Sequence, residues 1–510
     1  MDKINIVVVG LEEGFNAVAF ERRDKVGGLW SQSSDPTFTS ALDETICNIS
    51  KFVLDSPPFF ASSDVAKYFD AYASHFELHR HVRFGTTVKK VTRNSSDNGW
   101  DVYITNSGGD SIMLFDKVVF GTGNQNIQMC PPIPSRDKFK GTVIHSQAYR
   151  SPEIFKDKKV LVVGLGNTAC DVSLGLRKHT SKLYQANRRR RMIVSRYQDD
   201  GIPIDTQIPW PTLRLKYLID HKLPWLINPI VDKFMVNKMI SDAARSEPAE
   251  SGLSRSKRLK RAEHRVREDW RLVPCSSLAH VHPAVQEDFM SALARGEIIP
   301  VQGVMPEIEM DGACGFPLKS AAEVYESNRE VRTAGQEPHV PRLFQMIFPP
   351  RWASSVAFLS WVAPLETTWC VSELASMAVA QIWAAEAAKS VELSQLQRPA
   401  NYRSPALLPS LDEMNAQVDA YHTWWRGEWE KEHSIRPGYV RAYSFYRFLH
   451  DAAGTGLYDN LDHIFTSRGW GLRWRDHELW TWLAKGPMNS LSWSLFETNP
   501  MDIAGCGRKI

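Results

Sequence analysis

Val160-Leu161-Val162-Val163-Gly164-Leu165-Gly166-Asn167-Thr168-Ala169 is the stretch on which the fold turns. Four branched apolar residues in a row suit a parallel strand buried on both faces. The glycines after them open that strand into a helix. Gly164 permits the tight turn, Gly166 lets a diphosphate approach the backbone, and Ala169, in place of a third glycine, keeps helix and strand close. The first helical turn, with Asn167 and Thr168, presents N–H groups and positive dipole to phosphate. A second strand is predicted over Lys182–Asn187, and Arg188 follows it, 24 residues beyond Gly164. An acid at that place holds the ribose hydroxyl of NAD, whereas an arginine suits the 2′-phosphate of NADP. NADPH is therefore the expected coenzyme. A lone Gly-x-Gly-x-x-Ala is a weak signal; strand, helix and arginine in register make it specific. The neighbours Arg189, Arg190 and Arg191 read equally well as a solvated basic corner.

Just upstream stands Phe139-Lys140-Gly141-Thr142-Val143-Ile144-His145-Ser146-Gln147-Ala148-Tyr149. Phe139, Gly141, His145 and Tyr149, placed before a second dinucleotide fingerprint, resemble the identifying motif of the flavin-containing monooxygenases. The resemblance implies two Rossmann-like dinucleotide-binding domains, one for FAD and one for NADPH, joined by this segment. Gly141 and His145 then organise the cofactors, His145 as a structural residue rather than an acid or base. Related Baeyer-Villiger enzymes usually carry tryptophan where this chain has Tyr149, so the N- and S-oxygenating branch is the nearer likeness.

The start of the chain reads as the flavin half. Ile4 to Val9 is a buried-strand signal ending at Gly10, and a second runs from Phe15 to Glu21, where Glu21 stands like the acid that binds a cofactor ribose. Gly10 and Glu21 are only 11 residues apart, where about 20 are usual and a parallel crossover takes a dozen or more. The phosphate-cradling loop and most of its helix are missing from this interval. Beyond it, Gly27-Gly28-Leu29-Trp30 is similar to the family segment that passes close to the flavin. Asn48 matches a family asparagine at the reactive edge of the ring, where a neutral amide can hydrogen-bond a peroxide without protonating it; seen alone, it is a turn residue. Val118 to Gly123, with Thr122 and Gly123, is similar to the turn that closes the first part of the flavin domain.

Composition sets the outer bounds. The 510 residues allow two or three domains, and 43% apolar with 23% charged residues is ordinary globular composition. A net charge of +3 gives no reason to expect nucleic acid. Seven scattered cysteines without a Cys-x-x-Cys pair indicate neither a disulfide frame nor a metal site. With no signal peptide and no apolar run long enough to span a bilayer, the expectation is a cytoplasmic protein with no membrane span.

The expected fold class is α/β, with residues 1–155 the first part of the FAD domain, 156–304 the NADPH domain with a helical insertion, 305–400 the second part of the FAD domain, and 401–510 a helical, aromatic-rich extension. A second departure lies after residue 304, where family members supply another strand and glycine turn and this chain has no apolar run of that length. The helix predicted over residues 371–385 points its N-terminus at the flavin. The resemblance implies hydride transfer from NADPH to FAD, reaction with O2 to a C4a-hydroperoxyflavin, and oxygen transfer to a small molecule bearing a soft nitrogen or sulfur. Two alternatives stay open: a non-catalytic dinucleotide-binding relic or mis-assembled gene that cannot hold FAD, and Baeyer-Villiger oxygenation of a ketone. Whether the chain forms a homo-oligomer is also open.

Overall fold

The computed structural model describes residues 5–8, 16–28, 30, 45–46, 59–60, 62–123, 139–187, 190–197, 201, 209–246, 252–302, 340–359, 361–362, 368–388 and 408–486. In chain order, strands β1 (Asn5–Val8) and β2 (Asn16–Phe20) are followed by β3 (Thr45–Ile46), β4 (Phe59–Phe60) and helix α1 (Ser62–His75). Next come β5 (Val82–Arg83), the meander β6 (Thr87–Arg93), β7 (Trp100–Asn106) and β8 (Gly109–Phe115), and then β9 (Lys117–Phe120). The second half opens with β10 (Lys159–Val163), α2 (Asn167–Leu176), β11 (Lys182–Asn187) and β12 (Ile193–Val194). Helices α3 (Trp210–Lys222), α4 (Pro224–Arg245) and α5 (Arg255–His264) lead to β13 (Ala284–Val285), α6 (Phe289–Ala294) and β14 (Ile299–Gln302). The chain returns through β15 (Val356–Phe358) and α7 (Thr368–Ala388) to α8 (Leu411–Lys431), α9 (Ala442–Ala453), α10 (Leu457–Asp462), α11 (Ser467–Arg475) and α12 (His477–Lys485).

Two parallel sheets organise these elements. The first has the order β15-β9-β1-β2-β5, so β1 lies inside, with β2 on one flank and β9 on the other. That is the doubly wound arrangement, in which ligands bind beyond the carboxyl ends of the strands where the chain reverses direction across the sheet. The short link anticipated at the start of the chain does not prevent parallel pairing: Asn5, Ile6 and Val7 stand opposite Asn16, Ala17 and Val18. Its core joins Val118, Val119 and Phe120 of β9 to Ala357 and Phe358 of β15, to Leu374, Ala378 and Ile382 of α7, and on to the C-terminal helices. The predicted helix over 371–385 is thus found, three residues longer at each end.

The second sheet has the order β10-β11-β14, all parallel. On one face, α2 packs through Cys170, Val172 and Leu176 into a core with Leu183, Met239, Phe289 and Leu293. The expectation that β10 is buried on both faces fails. Leu161 is 53% and Val163 41% exposed, and in register with them across the sheet Ile299 is 37% and Val301 36% exposed. Alternation along a strand sends neighbouring side chains to opposite faces; Val160 and Val162 meet α2's face, and among the described residues no helical layer covers the other.

The meander β6-β7-β8 is antiparallel, and its inward residues Trp100, Val102 and Ile104 alternate with outward ones as a one-sided sheet requires. In the extension, α8 starts on a reciprocal cap between Ser410 and Glu413. Trp425, Trp429 and Tyr446 are buried, as packing residues should be, whereas Trp470 and Trp474 lie exposed, Trp474 at 87%. The basic run on α5 is a solvated face with Ala262 turned inward.

Candidate functional site

The turn after β10 is held from three sides. Gly164 has φ +120, a conformation that costs an L side chain strain; the room itself is adequate, since a Cβ there would meet Ala169 Cβ at 3.6 Å. Gly164 N–H donates to the Ala186 carbonyl at 2.8 Å. The buried Gln185 side chain donates to the Gly164 carbonyl and accepts from the Ser173 hydroxyl, so the first turn of the motif, β11 and α2 form one network. Gly166 is the N-cap of α2, with φ −86 and ψ 176, and it uses no side-chain cap. The Asn167 side chain is held from another element: its Oδ1 accepts from Val285 N–H at 3.0 Å, tying β13 to the helix tip. Thr168 sits in the same first turn, partly exposed.

The arginine that reaches this tip is Arg191. Its Nη1 would lie 3.4 Å from a Cβ on Gly166, and its Nε donates to the His282 carbonyl at 2.7 Å. Burial pushes its pKa down to about 10, with Arg436 adding to the effect. His282 is pushed down to about 4 by burial, with Arg436 and then Arg191 contributing, which keeps its ring neutral at neutral pH. Arg188, the residue singled out by spacing, lies outside the described residues, and Arg190 instead donates to the Val273 carbonyl. Spacing singles out Arg188 within the run of four arginines and does not point to Arg191, which is held at the tip by a carbonyl 91 residues away.

At the first sheet, Glu21 follows β2 directly. Its Oε1 accepts from Arg23 N–H at 2.9 Å, and its backbone bonds to Arg83 and Thr86. Gly27 and Gly28 both have positive φ, and Trp30 N–H closes the turn onto the Gly27 carbonyl. Thr122 and Gly123 follow β9 on the other flank of β1. Glu21 and the Thr122-Gly123 turn therefore bracket the carboxyl end of β1. A Cβ at Gly28 or Gly123 would meet nothing within 4 Å. Gly10, Leu29 and Asn48 lie outside the described residues.

The linking segment is compact. His145 caps a 3-10 turn over Ser146–Ala148, its Nδ1 accepting from Gln147 N–H at 3.1 Å. Gly141 is exposed. Tyr149 is buried and stacked on Phe155 at 6.2 Å, with its hydroxyl against Gly175 of α2. Among the described residues no group of His, Cys, Asp and Glu could hold a metal ion, and no helix is long and apolar enough to cross a membrane.

These features match known proteins. The family model described as FMO-like, flavin-binding monooxygenase-like, matches residues 3–292. The monooxygenase aurF of Gibberella zeae is 26% identical over 520 aligned positions, covering 95% of this chain and 90% of that protein. Human flavin-containing monooxygenase 5 is 25% identical, covering 80% and 73%. Among solved structures, the open crystal structure of cyclohexanone monooxygenase superimposes with a TM-score of 0.52 at 14% identity, covering 89% of this chain and 98% of that one, a likeness of fold. The two parallel sheets, the glycine turns at their carboxyl ends and the helical C-terminal region are thus those of an oxidoreductase, and the chain belongs to the flavin-binding monooxygenase-like family.

Proposed function

We propose that this chain is an FAD- and NADPH-dependent monooxygenase that transfers one oxygen atom from O2 to a soft nitrogen or sulfur of a small molecule. The observation that carries the reading is the pairing of two parallel sheets whose carboxyl ends each carry a glycine turn, the second with a guanidinium beside it. At the first sheet Glu21 is suited to accept the ribose hydroxyls, and the Gly27-Gly28 and Thr122-Gly123 turns to let the dinucleotide come close. At the second, the Gly164–Gly166 turn and the α2 N-terminus are suited to the diphosphate, with Arg188 for the 2′-phosphate. When bound, FAD supplies the redox chemistry with NADPH and dioxygen. The protein's own work is to orient the two cofactors, to keep water out and, through the Asn48 amide, to offer a hydrogen bond beside the reacting atoms. The proposed limits are 1–155 and 305–400 for the flavin domain, 156–304 for the NADPH domain and 401–510 for the extension. A cytoplasmic setting goes with the free thiols of Cys170 and Cys275.

A second reading, a dinucleotide-binding chain without FAD, is favoured by one feature: only residues 9–15 separate β1 from β2. The visible spectrum of the purified protein separates the two. The absorption bands of oxidised flavin, NADPH oxidation under air, and a product one oxygen atom heavier from a sulfide or tertiary amine support the monooxygenase. A colourless protein that takes up no added FAD refutes it, and turnover of a cyclic ketone alone refutes the nitrogen and sulfur preference.

A further inference from the structure

We infer that Glu428, on helix α8 of the extension, is a positioning residue for the nicotinamide coenzyme, acting through His280 and the His282 carbonyl on Arg191 at the tip of α2. The inference rests on the coenzyme site proposed above and adds to it a residue from a region outside the 3–292 family match. Each link is a contact. Glu428 Oε2 lies 2.7 Å from His280 Nε2, and both side chains are half-buried. Its other oxygen, Oε1, accepts from Lys431 Nζ at 2.8 Å. The bond from His280 does most to push the Glu428 carboxyl down to about 2, against the opposing effect of burial. An ionised carboxylate only accepts, so His280 Nε2 donates. His282 stands two residues on, within about 7 Å of extended chain, and its carbonyl accepts from Arg191 Nε at 2.7 Å. Arg191 Nη1 in turn lies 3.4 Å from the place of a Cβ on Gly166.

The direction of the His282 carbonyl is set from both flanks. After it, Ala284 N–H donates to the Met192 carbonyl at 2.8 Å, and Ala284 pairs with Ile193, two residues from Arg191. Before it, His280 N–H and Val281 N–H both donate to the Ser277 carbonyl at 3.0 Å, and Leu278 N–H donates to Asp232 of α4 at 2.9 Å. Glu428 anchors this turn from the extension. Helix α8 is itself fastened to the segment that leads into β15: Asp419 Oδ1 accepts from Arg342 Nη1 at 2.5 Å, and Trp425 and Trp429 are buried with Val340. The helix thus reaches from the chain entering the first sheet to the turn that orients the arginine of the second, and Glu428 makes the second of these contacts. A hydrogen bond to a carbonyl is directional, so a His282 carbonyl that is free to tilt releases Arg191 from the tip. Holding a long side chain in place before the coenzyme arrives removes an ordering cost from binding.

The test is a double-mutant cycle: calorimetric titration of NADPH into the purified full-length protein, Glu428→Ala, Arg191→Met and the double variant, with melting temperatures recorded for all four. The expected result is a Kd raised roughly tenfold by Glu428→Ala in the parent. In the Arg191→Met background the same change moves Kd by less than about twofold, because the effect travels through the guanidinium. His280→Gln, which keeps an N–H donor at similar reach, is expected to bind like the parent, and His280→Ala like Glu428→Ala. Where Glu428→Ala melts lower than the parent, Glu428→Met, which fills the same space without a carboxylate, is read by the same criteria. A folded Glu428 variant that binds NADPH as the parent does overturns this inference and leaves the coenzyme site standing. Equal weakening in both backgrounds overturns it too, since that is the result of a structural role alone. A parent protein that binds no NADPH removes the site and the inference together.

Discussion

Gly164 and Gly166 stand two residues apart, and the structure predicts different effects on stability for replacing each with alanine. At Gly166 the backbone, φ −86 and ψ 176, is ordinary extended geometry, and the new Cβ would meet only the far end of the Arg191 side chain at 3.4 Å. Loss of a glycine N-cap costs up to about 1 kcal/mol, and the stiffer unfolded chain returns about 0.4–1 kcal/mol. The net change is within about 0.5 kcal/mol, a shift in melting temperature of about 2 °C or less. The methyl group nevertheless occupies the approach to the bare backbone, and loss of one charged hydrogen bond there weakens NADPH by roughly ten- to a hundredfold. At Gly164 the nearest atom is Ala169 Cβ at an ordinary 3.6 Å, but φ is +120. Gly164→Ala therefore costs about 1–3 kcal/mol in backbone strain and lowers the melting temperature as well as the affinity. Thermal melts and calorimetric NADPH titrations of the two variants measure both quantities. A Gly166→Ala protein that binds NADPH within twofold of the parent refutes the placing of the diphosphate over this turn.

His450 gives a pH prediction. It is buried, paired through Nδ1 with the Thr455 hydroxyl at 2.9 Å and stacked on Tyr458 at 4.8 Å, and burial pushes its pKa from 6.5 down to about 3. The unfolded state then binds the proton first, so stability is lost as pH falls below 6.5, by about 2 kcal/mol on reaching about pH 5; denaturant melts that are flat across this window, or as steep in His450→Gln, count against it. Arg188→Ala is expected to erase most of the preference for NADPH over NADH, measured as the ratio of kcat/KM values, and an unchanged ratio removes Arg188 from the 2′-phosphate site.

What the sequence made legible was what is encoded locally. The strand, turn and helix from Lys159 to Leu176 need only a run of branched residues and two glycines, and they lie where those residues predict. The place of Glu21 directly after a second parallel strand was legible from the apolar run that precedes it. The first sheet completes the order expected of a doubly wound fold even though the interval from Gly10 to Glu21 is short, so spacing warned of the phosphate loop and not of the sheet. β8 went unread because Gly109 to Ser111 look like a turn and most of its side chains face solvent; its partner β7 supplies the reason to be a strand. Arg191 was not legible at all. What places it is the His282 carbonyl, a contact between residues 91 positions apart.

The failure at β10 carries a physical lesson of its own. Leu161 is in register with Tyr184 and Ile299, and Val163 with Ala186 and Val301, so one continuous apolar strip crosses all three strands on the face away from α2. In a doubly wound sheet the fourth strand returns to pair beside the first, and its connection covers that second face. Here β10 is an edge strand among the described residues, and in chain order the returning strand belongs after Gln302, the interval in which the sequence has no apolar run of sufficient length. Val160 to Val163 are composed for burial on both sides, and among the described residues only the side facing α2 is covered. Reading a strand from its own residues reports the environment those residues suit; whether that environment is present is decided elsewhere in the chain, which is why the motif was legible and its burial was not.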